Sequence, residues 1–167
     1  MAGANMAGAT LKRANMAGAN MAGAFLFEAD LTMANMEGAK LAGADLTCAD
    51  LSGANFGQVK WGTVLPQTGL AIMAMDSDNP DHLNWARECL TAWPIELDEN
   101  NQLTPEQRQA INLALDTMAT NPNIASKNTV LTLWTTLIAL KNSSDPDNTA
   151  KAKALLTAVS EKWPKIA

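Results

Sequence analysis

Alanine stands at residue 4 and at every fifth residue after it through residue 54, eleven times without a break. Two places after each comes an apolar residue: Met6, Leu11, Met16, Met21, Leu26, Leu31, Met36, Leu41, Leu46, Leu51 and Phe56. With Met1 and a degenerate unit at 59–63 centred on Trp61, thirteen apolar centres share one register. A period of five carries an α-helix about 140° past a full turn, so the apolar set would smear around it. In a strand, positions five apart fall on opposite faces. Neither element buries the pattern. The chain must instead turn once every five residues, so that each unit presents the same inward pair. Four such quarter-turns close a square coil of 20 residues, and coils stack at about 4.8 Å as in any sheet.

Folding the sequence at that period yields four interior ladders. They are Met1, Met21, Leu41, Trp61; Met6, Leu26, Leu46; Leu11, Leu31, Leu51; and Met16, Met36, Phe56. Alanine is small because four chain segments converge on a narrow interior. The three remaining positions of each unit hold mostly Asn, Asp, Thr, Gly, Lys, Arg and Glu, as solvent-facing positions should. The units ANMAG, ADLTM, ADLTC, ADLSG and ANFGQ resemble the A-(D/N)-L-x-x signature of the pentapeptide-repeat family. The resemblance covers residues 1–63. It implies a right-handed quadrilateral β-helix of about three coils in a protein of bacterial origin, often from photosynthetic bacteria, usually without known catalysis.

After Trp61 the period stops. Residues 64–75 read as an apolar transition lying over the last coil, and four helical stretches follow, so 64–167 is expected to be an α-helical bundle capping the β-helix. The first stretch, about 79–93, takes Asn79 as N-cap with Pro80 at the first helical position. Leu83, Ala86, Leu90 and Trp93 form its buried stripe. The second opens on a capping box, Thr104-Pro105-Glu106-Gln107, and buries Ile111, Leu113, Leu115 and Met118. The third, about 126–141, carries Val130, Leu131, Leu133, Trp134, Leu137, Ile138 and Leu140 and is expected at the centre. The fourth, about 147–163, uses Leu155, Leu156, Val159 and Trp163. Turn chemistry at 121–123 and 143–148 separates them. A solenoid needs its open ends covered, because an unpaired coil edge invites aggregation. An independent helical domain with its own partner is the alternative.

The chemistry-bearing residues are few. One histidine, His82, and two cysteines 41 residues apart, Cys48 and Cys89, compose neither a zinc set nor a nucleophile with its base. The acids beside His82 complement a helix N-terminus. Cys89 is expected to be buried, and Cys48 to occupy an outward loop position. No catalytic residue, metal or cofactor is expected. A net charge of −5 speaks against a nucleic-acid binder, and no apolar run reaches membrane-spanning length. With no signal peptide visible, the expected compartment is the cytoplasm; an upstream native start would open the periplasm or the thylakoid lumen.

Interaction is the remaining class. Phe25 and Phe27 break the outward-polar rule on one face and Met33 on the next. They mark either a partner surface or positions that the helical half covers or leaves isolated. Met1, Met6, Leu11 and Met16 form a first coil without a cap. Either it stacks against another copy, which is the favoured reading, or the repeat continues upstream. The function expected is a non-catalytic interaction or scaffold module, self-associating as a homodimer through the N-terminal coil, with an unknown protein partner. The alternative implied by the resemblance is a nucleic-acid mimic that modulates a type II topoisomerase. That role asks for a long rod of regular negative charge. Here the repeat spans about 15 Å by the sheet spacing, and five acids are set against four bases within it.

Overall fold

A computed structural model of the chain describes residues 1–76, 78–121 and 127–166. Over 1–60 the backbone closes on itself every 20 residues. Parallel one-residue bridges join Asn5 to Phe25, Thr10 to Asp30, Asn15 to Asn35 and Asn20 to Lys40, and the same four columns continue to Asp45, Asp50, Asn55 and Lys60. Each rung is a single residue wide, because the chain turns a corner before a second can pair. The stack is therefore a ladder of bridges without extended strands. The pairing is regular: Met6 N–H donates to the Phe25 carbonyl (2.8 Å), while Phe25 N–H donates back to the Ala4 carbonyl (2.9 Å).

Two local devices make the corner. The central residue's carbonyl accepts from the next unit's alanine N–H, as between Met6 and Ala9 (3.1 Å). The residue before that alanine lies at positive φ, the condition of a type II-like turn. Glycine fills this slot in most units, for example Gly18 at 67°, but Arg13, Glu28, Met33, Cys48 and Gln58 occupy it at 54–62°. The second device is an Asn or Asp preceding the central residue, whose side chain accepts from the N–H two residues on. Asn5 takes Ala7, Asp30 takes Thr32 and Asn55 takes Gly57. The asparagines of one column also bond along the stack, Asn55 to Asn35 (3.2 Å) and Asn35 to Asn15 (3.3 Å).

Burial follows the register. Met21, Leu26, Leu31, Met36, Leu46 and Phe56 are fully enclosed, as are the inward alanines of the second coil, Ala24, Ala29, Ala34 and Ala39. In the first coil Met6 and Leu11 are only half-buried and Met1 is 64% exposed.

Five helices follow: α1 (Pro66–Ala74), α2 (His82–Ala92), α3 (Pro105–Thr120), α4 (Lys127–Lys141) and α5 (Pro146–Lys162). The apolar transition expected over 64–75 is thus mostly a helix, α1, started by Pro66 and buried along nearly its whole length. It carries no polar face, which is why periodicity does not reveal it. Helix α2 begins at His82, two residues later than an Asn79 cap with Pro80 at the first helical position suggests. Asn79 is not its N-cap, a place Asp81 takes; the Asn79 side chain accepts from Asp81 N–H (2.9 Å) and closes a turn before the helix. The Thr104 hydroxyl accepts from Gln107 N–H at the head of α3 (3.4 Å). The reciprocal half of the capping box is not made: Gln107 Oε1 is buried without a partner among the described residues. Asp145 caps α5. Of the turn expected at 121–123, residues 122 and 123 lie outside the described residues, as does Ser126 at the expected start of α4.

Helix α4 is central, packed chiefly on α5 and α1. Three leucines expected inside are outside: Leu83, Leu113 (67% exposed) and Leu131. Each lies off the stripe that faces the core: Ile111, Ala114, Leu115 and Met118 turn inward on α3, leaving Leu113 on the opposite side. Trp134, Ile138 and Trp163 are half-buried at the edge of the core.

One apolar core runs from the coils into the helices. At the junction Phe56 stacks on Trp61 (5.8 Å between centroids) and meets Trp85 edge-on (6.3 Å). Gly69 lies so close beneath the Trp93 ring that a Cβ there would approach it to 2.5 Å.

The last coil is also closed through its backbone. In the repeat's own pattern, Ala44 carbonyl and Leu46 N–H would both pair with residue 65. Leu65 has instead given its carbonyl to Gly69 N–H in α1 (2.9 Å). The Thr68 hydroxyl takes both places, donating to Ala44 carbonyl (2.7 Å) and accepting from Leu46 N–H (3.1 Å). Likewise Gly53 N–H finds the Asp76 carbonyl (3.3 Å).

Candidate interaction surfaces

Two surfaces gather the residues singled out in the sequence. The first is the open end of the first coil. Met1, Met6 and Leu11 present there, whereas Met16 is 5% exposed and contributes little. Among the described residues, the N–H groups of Asn5, Thr10, Asn15 and Asn20 on this rim have no backbone partner, and neither do the carbonyls of Asn5, Ala7 and Thr10. A row of free donors and acceptors around an apolar centre is a template for a further rung.

The second surface is on the flank of the second coil. Phe25 is 54% exposed, Phe27 38% and Met33 55%. Phe25 and Phe27 belong to one unit, 24–28, which departs from the repeat at all three outward positions. Phe25 stands where its column has Asn5 below and Asp45 above, so Phe27 N–H lacks the side-chain acceptor that Ala7 and Thr47 enjoy. Glu28 takes the positive-φ slot at 56° where the coil beneath has Gly8. Met33 lies on the next face, under Gly53, where an added Cβ would meet the Met33 Cγ at 3.4 Å.

One coil above Phe27, the same face is covered. Thr47 and Cys48 are buried, and the Cys48 thiol points at the Thr117 carbonyl near the end of α3 (3.9 Å). The outward position read for Cys48 is correct in register but not in exposure, because α3 lies against it. Burial pushes its thiol pKa up, and the nearby Glu28 and Asp45 add to the shift. Cys89 is wholly enclosed, with its pKa raised by burial. Both thiols are free. His82 rests with Nε2 3.3 Å from the Thr136 hydroxyl, and its Nδ1 is buried without a partner among the described residues. Burial lowers its pKa. Among the described residues no three His, Cys, Asp or Glu side chains could hold a metal ion, and no helix is long and apolar enough to cross a membrane.

Comparison with known proteins agrees with this geometry. The family model "Pentapeptide repeats" matches in eight copies over residues 1–32 and 19–58. No curated protein matches the chain. Among solved structures, HetL, a pentapeptide repeat protein involved in heterocyst differentiation regulation from the cyanobacterium Nostoc, is 39% identical over 34% of this chain and 27% of its own (TM-score 0.33). A pentapeptide repeat protein from the thylakoid lumen of Arabidopsis thaliana is 33% identical over 35% of this chain and 43% of its own (TM-score 0.29). The chain thus spans less than half the length of either. Proteins of this kind are generally non-catalytic modules of interaction, and the repeat implies a β-solenoid. The 20-residue register, the inward alanine ladder and the family-model match together identify residues 1–58 of this chain as pentapeptide repeats.

Proposed function

We propose that this chain is a non-catalytic interaction or scaffold module that self-associates through its first coil. In this reading residues 1–63 are a right-handed quadrilateral solenoid of about three coils, and residues 64–167 are its helical C-terminal cap. The observation that carries it is the contrast between successive coils. Met1 is 64% exposed while Met21 above it is at 0%, and half-buried Met6 and Leu11 stand beneath enclosed Leu26 and Leu31. The opposite end of the stack already has Thr68 and Asp76 on its backbone, so a second copy would pair at the first coil. A two-fold dimer would bring the same rim together from each copy. The end of a square coil is small against the roughly 800 Å² per partner of a standard interface, so the dimer is of moderate affinity. Both helical ends would face outward.

Light scattering on the 167-residue chain at increasing concentration tests this, alongside a Met6→Lys, Leu11→Lys variant. Both positions are half-exposed, so the lysines can reach water without unfolding the coil. A dimer that the variant abolishes supports the reading. A wild type that stays monomeric at high concentration, or a variant that stays dimeric, removes it.

A further inference from the structure

We infer that the flank of the second coil, around Phe25 and Phe27, is a docking site for a short basic peptide segment of a partner protein. The inference rests on the interaction-module reading, but not on self-association through the first coil. The shape comes first. On this face the third coil is buried at Thr47 and Cys48, with the end of α3 against Cys48, while the second coil is bare at Phe27. The two rings therefore stand at the foot of a step, one rung of about 4.8 Å below the covered level.

Size and charge choose the occupant. An aromatic side chain offers some 150–250 Å², so Phe25 at 54% and Phe27 at 38% exposure present on the order of 200 Å² together. That falls well short of the roughly 800 Å² per partner of a stable dimer, and suits anchors for a short segment better than a second copy. The rings are edged by acids: Glu28 follows Phe27, Asp45 stands over Phe25, and Asp30 holds the next corner. None of the three is ion-paired among the described residues, although Lys12 lies within electrostatic reach of Asp30. Arginine or lysine on the incoming segment would meet both features, with its charge on the carboxylates and its stem or guanidinium against the rings. The unit's composition fits a site kept at a cost to the coil, since Phe25 forgoes a corner hydrogen bond and Glu28 occupies a left-handed position.

Reversion to the repeat's own pattern provides the control. Phe25→Asn, Phe27→Thr and Glu28→Gly copy the residues of the same columns, Asn5, Thr47 and Gly8, so the triple variant should melt no lower than wild type. The probe is a fluorescein-labelled peptide of alternating arginine and leucine, read by anisotropy, with a glutamate–leucine peptide of the same length beside it. The expected result is saturable binding of the basic peptide to wild type, at least about ten-fold weaker binding to the variant, and none of the acidic peptide. Absent saturation on wild type, equal affinity for the variant, or equal binding of the acidic peptide overturns the proposal. So does a change of oligomeric state in the variant, which would assign the flank to a second copy. A monomeric wild type, by contrast, would sink self-association and leave this site standing.

Discussion

Replacing Thr68 by valine separates the two ways in which α1 could hold the last coil. Valine keeps the shape of threonine and exchanges the hydroxyl for a methyl, so a purely apolar contact would tolerate it well. Among the described residues the hydroxyl, however, is the sole partner of Leu46 N–H and Ala44 carbonyl, and Thr68, Leu46 and Ala44 are all at 2% exposure or less. Each buried polar group left unpaired costs about 1–3 kcal/mol, so Thr68→Val should lose roughly 2–5 kcal/mol. For a chain of this length that is a fall in Tm on the order of 10 °C. Thr68→Ser keeps both hydrogen bonds and forfeits one methyl, about 1 kcal/mol. Urea unfolding followed by tryptophan fluorescence and by circular dichroism reads both variants. Serine should therefore be milder than valine, the reverse of the order expected from packing alone. If valine matches wild type, or serine is the more damaging, the hydroxyl is not closing the ladder.

Other expectations follow from burial, backbone and charge. Leu31→Asp places an unpaired carboxylate in a fully enclosed position and should cost more than about 4 kcal/mol, whereas Ala17→Asp on the exposed surface should shift the melting temperature little; equal shifts would refute the register. Gln58 sits at φ 54°, so Gln58→Gly should stabilise by up to about 1 kcal/mol, while Gly38→Val at φ 67° should destabilise although the site has room. Burial lowers the His82 pKa, so the folded state favours the neutral ring and the unfolded chain binds the proton more readily. Stability should therefore drop as pH falls below the ordinary value near 6.5 and level off once the folded ring also protonates. Denaturation midpoints at pH 7.5 and 5.5 should differ more for wild type than for His82→Gln, and an equal difference would show that other groups dominate.

The repeat was legible from residues alone because one rule governs every unit. Ala24, Ala29 and Ala34 and the large centres Leu26, Leu31 and Met36 each meet the same four-walled interior, so their spacing is the fold written out. The preference for glycine in the last position of the unit is equally regular, but its cause is a backbone angle, visible only once φ is known. The candidate flank was half legible. Phe25 and Phe27 stand out as apolar residues in polar positions, yet nothing in their own unit tells that α3 roofs the coil above them. The helical half was legible as helices and not as a surface. Leu83, Leu113 and Leu131 are as apolar as their buried neighbours, and only the placement of α2, α3 and α4 against the other helices decided which side faced the core. Helix α1 was hidden because it is apolar all round and has no periodicity to show. The sequence by itself determined the period, the inward residues and the number of coils, since those depend on contacts between equivalent positions 20 residues apart. What closes the last coil, which leucines meet water and what Cys48 touches depend on pairings across 22 to 69 residues. No local pattern encodes such pairings, so only the tertiary structure could decide them.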